Sequence, residues 1–485
     1  MESYFGTFQI GRMVLLKALA GLYLLAFISA LNQFPALLGS KGLLPVTDFL
    51  RQVPWKQSPS IFYIHYSDLF FVITAWIGVI VSAGIFFGLA DRGPWWLTML
   101  LWLILWVLYL SIVNVGQTFY GFGWESMLVE AGFFAAFLGS ARIAPAIIPV
   151  LALRWMLFRV ELGAGLIKIR GDECWRNLTC LQYHYETQPM PNPLSWFFHH
   201  LPAWFHKVSV LFSHFVQLIV PFGLLGPQRV AAASGLLLIF HQLLLIVSGN
   251  YSWLNWLTVI LGLTALSDSF YALFSIKAAV PSARSLVHDW LLYGLTGLTL
   301  LLSIQPTLNF FARQQLMNYS YNPFHLVGSY GAFGSVTKAR YEIVIEGTSD
   351  QSLTPQTEWK EYEFKAKPGD IMRRPPQFAP YHLRLDWLMW FLPFSVQRTS
   401  TGIYSPGYQV WFIRFIQKLL DADIKTLRLL RKDPFNGQVP RFIRARYYLY
   451  RFTTPSERKH NGAWWHRTLI DEYLPPVNAE VLNNQ

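Results

Sequence analysis

The sequence predicts a polytopic α-helical membrane protein with about nine spans, followed by a soluble, β-rich (sandwich-like) α+β domain at the C-terminus. Its 485 residues are 53% hydrophobic and only 14% charged, whereas soluble domains carry about 25% charged residues. Aromatic residues make up 17% of the chain, as expected where ring side chains line membrane interfaces. This composition excludes an ordinary soluble enzyme.

Stretches of about 17 to 25 apolar residues can cross a bilayer, because a helix satisfies its own backbone hydrogen bonds there. The first stretch carries Lys17 and lacks a clean cleavage site, so we expect a retained span rather than a signal peptide. Six stretches are clear and three less so: 13–31, 69–90, 94–113, 208–226, 229–248 and 289–304, then 126–140, 144–167 and 251–275.

The charges divide the chain into two predicted domains, 1–310 and 311–485. Residues 1–310 hold 16 Lys and Arg against 12 Asp and Glu, which leaves 23 and 15 of the totals of 39 and 27 for the remainder. In that second part, polar and apolar residues alternate as in half-buried strands, while other segments have helical spacing. The predicted strands are 340–346, 359–366 and 446–452, and the predicted helices are 410–420 and 424–430.

Basic residues mark one side of the membrane. The loops 114–123 and 249–251 contain no Lys or Arg, and short loops rich in these residues stay in the cytoplasm. With an odd number of spans, the N-terminus is therefore cytoplasmic and the C-terminal domain lies in the periplasm or the lumen of the endoplasmic reticulum. The predicted cytoplasmic residues are Arg12, Arg92, Arg142, Arg229, Lys277 and Arg284.

The long loop 169–206 is predicted to be a structured outer loop, because it is too polar and proline-rich to span the membrane. It contains the only two cysteines, Cys174 and Cys180, which can form a disulfide on that side or remain free thiols. Residues 188–193 should be extended because of their prolines, and residues 194–205 are typical of a re-entrant or interfacial aromatic helix.

Ionisable residues inside predicted spans need partners or a water-filled cavity. Glu161 and Lys168 are seven residues apart and share a helix face. One interpretation is a polar cavity with Lys168 as a base; the other is a network of ion pairs between helices. The remaining candidates are Glu125, Glu130, Arg154 and Arg159.

Long words in both domains resemble the lipase maturation factor family: NVGQTFYGFGWESMLVEAGF at 114–133, CLQYHYETQPMPNPLSW at 180–196, NPFHLVGSYGAFG at 322–334 and RRPPQFAPYHLRLDWLMWF at 373–391. The resemblance marks a membrane motif of Gln117, Trp124, Glu125 and Glu130. It marks an outer-loop motif of Tyr183, His184, Tyr185, Glu186, Thr187, Gln188, Pro189, Pro191, Asn192 and Pro193. It marks a C-terminal motif of Arg373, Arg374, Pro375, Pro376, Pro380, Arg384, Asp386, Trp387 and Trp390.

The resemblance implies a multi-span protein that helps secreted lipases reach their active state, with a C-terminal domain that contacts the client. The expected partners are therefore the lipid bilayer and a secreted lipase or other client protein, without nucleic acid and without a cofactor. The family's eukaryotic members reside in the endoplasmic reticulum, and a bacterial member would lie in the inner membrane. The client itself is not specified.

A second, shorter resemblance concerns RVELGAGLIKIRGD at 159–172, which is similar to a word in the vitamin K-dependent gamma-carboxylase. There a lysine at the place of Lys168 acts as the catalytic base, so the alternative function is a membrane enzyme using Lys168 and Glu161. Other chemistry has weaker signals. The histidines near 184–214 lack a helix-face ligand pair, so we expect no metal, and Ser126 and Ser195 lack the G-x-S-x-G context of a lipase.

The tail motif 373–391 allows a structural and a functional interpretation. Its prolines predict an extended connector, followed by LDWLMWF, which is too short to span. This segment either docks the domain on the spans, with Asp386 paired to Arg384 or an arginine near Arg170, or forms an exposed aromatic patch for a client.

Overall fold

Nine helices of nine or more residues form the described part of the membrane domain. The computed structural model describes residues 2–89, 91, 93–274, 281–399, 402–404 and 407–483; the predicted cytoplasmic residues Arg92 and Lys277 lie outside these ranges. The nine helices are α1 (Gln9–Leu37), α2 (Asp68–Phe86), α3 (Trp95–Asn114), α4 (Gly123–Ala135), α5 (Ile147–Arg170), α6 (Ala203–Leu218), α7 (Gln228–Ser248), α8 (Leu254–Gly262) and α9 (Leu286–Phe311).

Short helices connect them: Glu2–Phe5, Val46–Gln52, Ile61–Tyr63, Gln117–Tyr120, Glu173–Arg176, Leu181–Thr187, Ser195–His199, Val220–Gly223, Leu263–Ala265 and Asp268–Ala272. The predicted aromatic helix 194–205 is wrong as a single element. The chain forms Ser195–His199, and α6 begins only at Ala203, because Pro202 cannot donate a helical hydrogen bond.

In the described chain, six helices are long and apolar enough to cross a membrane, one for each clear stretch of the sequence. Helices α4, α5 and α8 correspond to the less certain stretches. They are shorter or carry charges, and they lie in the interior of the bundle; for example, Arg154 and Arg159 of α5 are fully buried. Interior position explains their weaker hydropathy, since side chains facing other helices need not be apolar.

Contacts at the helix ends show that α1 to α9 alternate in direction. At one end, which we call the N-terminal end, Arg12 Nη2 donates to the Ile143 carbonyl at 3.0 Å and Ser282 N donates to the Arg142 carbonyl at 2.8 Å. At the opposite end of the bundle, which we call the domain end because the C-terminal domain lies there, Ser29 Oγ of α1 donates to the His382 carbonyl at 3.2 Å. The N-terminus and the C-terminal domain therefore lie at opposite ends of the bundle.

The C-terminal domain contains an antiparallel sheet of four strands in the order β2-β1-β5-β6. The strands are β1 (Arg340–Thr348), β2 (Lys360–Glu361), β5 (Phe442–Phe452) and β6 (Trp465–Val477), while β3 (Gln397–Thr399) and β4 (Gly402–Tyr404) form a separate hairpin. The central register pairs Ile343 with Tyr447. The helices are α10 (Arg384–Phe391), α11 (Val410–Leu420), Leu392–Ser395, Ile424–Leu427, Pro455–Asn461 and Ala479–Asn483.

The β-rich prediction is confirmed, and its sandwich-like form is wrong. One main sheet is present in the described chain, and it is covered by helices; Phe415 of α11 packs 6.1 Å from Phe364 between ring centroids. The predicted strand 359–366 is shorter in the structure, where β2 has only two residues. The end of the predicted strand contacts α10 instead of a neighbouring strand, since Ala366 N donates to Asp386. Strand β6 was missed because Pro475 and Pro476 interrupt its pattern, which an edge strand tolerates.

Candidate functional site

A cavity of about 580 Å³ lies at the domain end of the helices, and four separate parts of the sequence meet there. Its wall includes Trp124 of the membrane motif, Tyr185 of the outer-loop motif, Tyr330 of the segment 322–334 and Trp387 of the C-terminal motif. These residues are far apart in the chain. Their convergence makes this cavity the candidate site.

A chain of polar side chains from four helices forms one wall of the cavity. Lys168 Nζ of α5 donates to Gln217 Oε1 of α6 at 2.7 Å, and Gln217 Nε2 donates to Glu161 Oε2 at 3.1 Å. Gln242 of α7 donates to the other Glu161 oxygen at 2.7 Å, and Asn255 of α8 donates to Gln242 at 2.6 Å. Gln217 thus bridges the predicted acid and base, so neither is left unpaired.

Another part of the wall is aromatic and includes Trp387 and Trp390 of the C-terminal motif. Trp387 is 3% exposed, and its ring centroid lies 4.9 Å from that of Trp124. Trp390 Nε1 donates to the Thr187 carbonyl of the outer loop at 3.2 Å. These are the contacts of the docking interpretation, in which α10 holds the domain against the helices.

A buried ion pair fastens α10 to the membrane domain. Arg384 Nη1 contacts Glu125 Oε1 of α4, and both side chains are inaccessible to solvent. His382 Nδ1 accepts from Arg384 Nη1 at 3.0 Å. Burial and the positive charge of Arg384 lower the pKa of His382 to about 4, which keeps the imidazole neutral and able to accept this bond. Tyr109 donates its hydroxyl to Glu125.

The predicted partner of Asp386 is wrong. Asp386 Oδ1 accepts the backbone N–H groups of Ala366 and Lys367 at 2.7 and 3.0 Å, and burial raises the pKa of this carboxyl. Residues two apart on a helix point in different directions. Arg384 therefore faces Glu125, while Asp386 faces the polypeptide of its own domain.

The outer-loop motif is held by hydrogen bonds to its backbone. Arg340 at the start of β1 donates to the carbonyls of Glu186, Gln188 and Pro189. Arg340 also pairs with Glu342, and both are buried. The C-terminal domain thus binds backbone carbonyls of this proline-rich segment.

The extended connector 373–380 runs beside the same loop. Arg374 Nη2 donates to the Pro193 carbonyl at 3.0 Å, and Asn192 Nδ2 lies 3.3 Å from Gln377 Oε1. Asn250 Nδ2, beyond α7, donates to the carbonyls of both Pro191 and Pro376, at 3.2 and 2.9 Å. Asn250 therefore links the two proline-rich segments, the outer loop and the connector.

The cysteines lie behind the cavity. Cys174 and Cys180 are joined by a disulfide, with their Cα atoms 4.7 Å apart, and both are buried beside Trp175. The ring of Trp175 lies 4.8 Å from Lys168 Nζ. The small disulfide loop therefore supports the side of the cavity that carries the lysine.

Several predicted residues lie outside the cavity wall. Gln117 donates to the Leu44 carbonyl at 3.0 Å, and Arg373 donates to the Phe364 carbonyl at 2.8 Å. Glu130 pairs with Arg159, and its Oε2 accepts from Gly328 N and the Tyr330 hydroxyl at 3.0 and 2.7 Å. These are structural ion pairs and hydrogen bonds. Tyr183, Pro375 and Pro380 also do not line the cavity.

The histidines of the outer loop have separate surroundings. Burial lowers the pKa of His184 to about 3 and of His199 to about 4, and burial raises the pKa of Glu186, which lies 3.7 Å from His199. Within the described ranges, no three His, Cys, Asp or Glu side chains are grouped as metal ligands.

Sequence reasoning missed the amides and the histidine of the polar wall, which are Gln217, His241, Gln242 and Asn255. Each interrupts an otherwise apolar helix, and a polar residue inside a span is itself a signal of an interior face. Arg340 and Asn250 were also missed, because a residue that binds distant backbone carbonyls has no local pattern.

Comparison with known proteins identifies the family. Residues 10–273 match the family model described as the lipase maturation factor transmembrane domain, and residues 326–475 match the lipase maturation factor C-terminal domain. The chain belongs to the lipase maturation factor family. No solved structure matches it.

Relatives in this family cover nearly the whole chain. It is 40% identical to lipase maturation factor 1 of Homo sapiens, over 98% of this chain and 89% of the relative, and 39% identical to that of Mus musculus, over 98% and 88%. Lipase maturation factor 2 of Homo sapiens is 27% identical over 97% of this chain and 83% of the relative. These similarities confirm the resemblance carried by the four long words and do not favour the carboxylase-like alternative.

Proposed function

We propose that this integral membrane protein is a maturation factor that assists secreted lipases in reaching their active state. The observation that carries the proposal is its membership of the lipase maturation factor family over almost its entire length. The architecture is compatible with this role, because a folded domain is anchored at one end of a helical bundle. Such an anchored domain could act on clients close to the membrane.

The proposal includes a compartment. We place the C-terminal domain, with a boundary near residues 310 and 311, in the lumen of the endoplasmic reticulum or in the periplasm. Arg12, Arg142 and Arg284 support this side, because they lie at the N-terminal end of the bundle, away from the domain. The disulfide supports it as well, since disulfides persist in oxidising compartments.

Within this proposal, the three family motifs serve as the joint between the domains. The Glu125–Arg384 pair crosses from the helices to the domain, as do the hydrogen bonds of Arg340 to the outer loop and the edge-to-face contact of Trp124 with Trp387. We assign these residues a positioning role. A catalytic role for Lys168 and Glu161 has no support in the comparisons.

Expression of the full chain in cells that lack their own lipase maturation factor tests the proposal. A secreted lipase is co-expressed, and its activity is divided by its mass in the medium. We expect the full chain to raise this specific activity, while the variant Arg384→Met, which breaks the joint, raises it less. An unchanged specific activity with correctly localised full chain would refute the proposed function.

A further inference from the structure

The cavity at the domain end has the charge balance of a site for an uncharged head group. The described residues of its wall include one basic side chain, Lys168, and one acidic side chain, Glu161, as the only Lys, Arg, Asp or Glu, and the two carry opposite charges. Gln217 and Gln242 occupy both carboxylate oxygens of Glu161. A charged ligand would therefore lose its hydration in the cavity without gaining an ion pair, because the charges of the wall already balance.

Two side chains of the wall have unused hydrogen-bonding capacity. Nδ1 of His241 and Nε1 of Trp387 are buried and have no hydrogen-bond partner among the residues that the structure describes. Buried polar nitrogens are nearly always paired in proteins. Rotation of the His241 ring toward the cavity would let it pair with a hydroxyl or carbonyl oxygen of a ligand.

The rim of the cavity opens toward the lipid-facing surface of the bundle. Leu244 of α7 and Phe391 of α10 belong to the wall, and they are 38% and 39% exposed. Leu243 and Val247, which neighbour Leu244 on α7, are also exposed apolar residues, 44% and 41%. An apolar opening of this kind admits a molecule from the bilayer more readily than one from water.

We propose that the cavity binds a lipid with an uncharged head that carries hydroxyl or carbonyl oxygens. The head lies at the polar wall of Lys168, Gln217 and His241, and the hydrocarbon lies against Trp124, Trp387 and Phe391. The volume of about 580 Å³ falls within the usual range of small-molecule sites. An acylglycerol and a prenyl alcohol or quinone share this chemistry.

Photo-crosslinking of the purified full chain in phosphatidylcholine nanodiscs tests the site. The probes are a monoacylglycerol and a prenyl alcohol, each with a diazirine in its hydrocarbon, and a fatty acid with the same diazirine chain as the monoacylglycerol. We expect at least one uncharged probe to label peptides of the cavity wall about ten-fold more than the fatty acid does, which corresponds to about 1.4 kcal/mol. Which uncharged probe labels better distinguishes the two sources.

A pair of neighbouring substitutions supplies the matched control. Ser209→Trp fills the cavity from α6. Val208→Trp places the same ring outside the cavity, because Val208 is 55% exposed and does not belong to the wall. The first should reduce labelling about ten-fold and the second should leave it unchanged. If Ser209→Trp does not fold, Leu245→Trp replaces it, with Leu236→Trp as its control, since Leu236 is exposed and lies outside the wall.

Glu161→Gln tests the charge argument separately, because it leaves Lys168 without an acid in the wall. We expect this variant to shift labelling from the uncharged probes toward the fatty acid. Equal labelling of Ser209→Trp and Val208→Trp, or equal labelling of the native chain by charged and uncharged probes, would overturn the inference. Because the readout is labelling of the protein itself, its failure is distinguishable from failure of lipase maturation.

Discussion

At the residue scale, two fully buried ion pairs connect distant parts of the chain. Glu125 with Arg384 and Glu130 with Arg159 have side chains that are 0% exposed. Each pair joins helix α4 to a later segment of the chain. A buried charge that loses its partner is costly, so these pairs make the assembly intolerant of change at either member.

Arg384→Met should destabilise the protein by about 3 to 5 kcal/mol, because it leaves the buried carboxylate of Glu125 without its cationic partner. The double variant Glu125→Gln with Arg384→Met should recover part of that loss. Arg431→Met is the control, since Arg431 is 46% exposed in its pair with Glu363 and should cost less than about 1 kcal/mol. Chemical denaturation in detergent measures these variants together with Glu125→Gln alone. Additive single and double variants would show that the two groups do not interact.

Histidines outside the spans should make the folded protein sensitive to acid. Burial lowers the pKa of His184 to about 3 and that of His325 to about 4. Between those values and the ordinary value of about 6.5, the unfolded chain binds protons that the folded chain does not. Stability should therefore be intact above pH 6.5 and fall progressively as the pH drops toward 4.

Melting temperatures between pH 4 and pH 7.5 measure this effect. His325→Gln should flatten the curve, because glutamine cannot titrate and can still bond to Asn114, whose Oδ1 lies 2.8 Å from His325 Nε2. The loss is about 1.4 kcal/mol for each unit by which the pKa is lowered. The same pH dependence in His325→Gln and in the native chain would exclude His325 as a contributor.

At the element scale, helix α10 positions the C-terminal domain against the membrane helices. Its eight residues carry Arg384 toward Glu125, Asp386 toward the backbone of residues 366 and 367, and Trp387 toward Trp124. Helices of this length are marginal in isolation. Tertiary contacts on three sides therefore hold α10 in place.

Trp387→Ala should lower stability by about 3 to 5 kcal/mol, because it empties a packed space between α10 and α4. Cellular abundance should fall with it. Phe394→Ala is the control, since Phe394 is 50% exposed and its removal should change little. Normal stability of Trp387→Ala together with lost lipase maturation would instead favour a client-binding role for this tryptophan.

At the scale of the whole molecule, the membrane helices and the C-terminal domain share one hydrophobic core. The largest cluster of buried apolar residues extends from Phe8 in the first part of the chain to Val477 in β6. The disulfide between Cys174 and Cys180 occupies both cysteines of the chain. An introduced cysteine is thus the one thiol available to a reagent, which makes the topology directly testable.

Gln351→Cys in the C-terminal domain and Arg229→Cys at the N-terminal end of the bundle should lie on opposite sides of the membrane. Both positions are exposed. A membrane-impermeant maleimide added to sealed vesicles should label one of them, and labelling of both should require detergent. Labelling of both variants from the same side would contradict the alternating direction of α1 to α9.

The sequence by itself determined which six helices are long and apolar enough to cross a membrane, which end is basic, which family the words indicate, and that β1, β5 and α11 form. Each of these depends on local periodicity or on a contiguous word. The tertiary structure alone decided that Glu125 pairs with Arg384, 259 residues away, that Asp386 binds backbone, and that four distant segments enclose one cavity. The physical reason is that a buried charge can be satisfied by any suitable partner within reach, and nothing in the neighbouring residues records which partner the packing brings there.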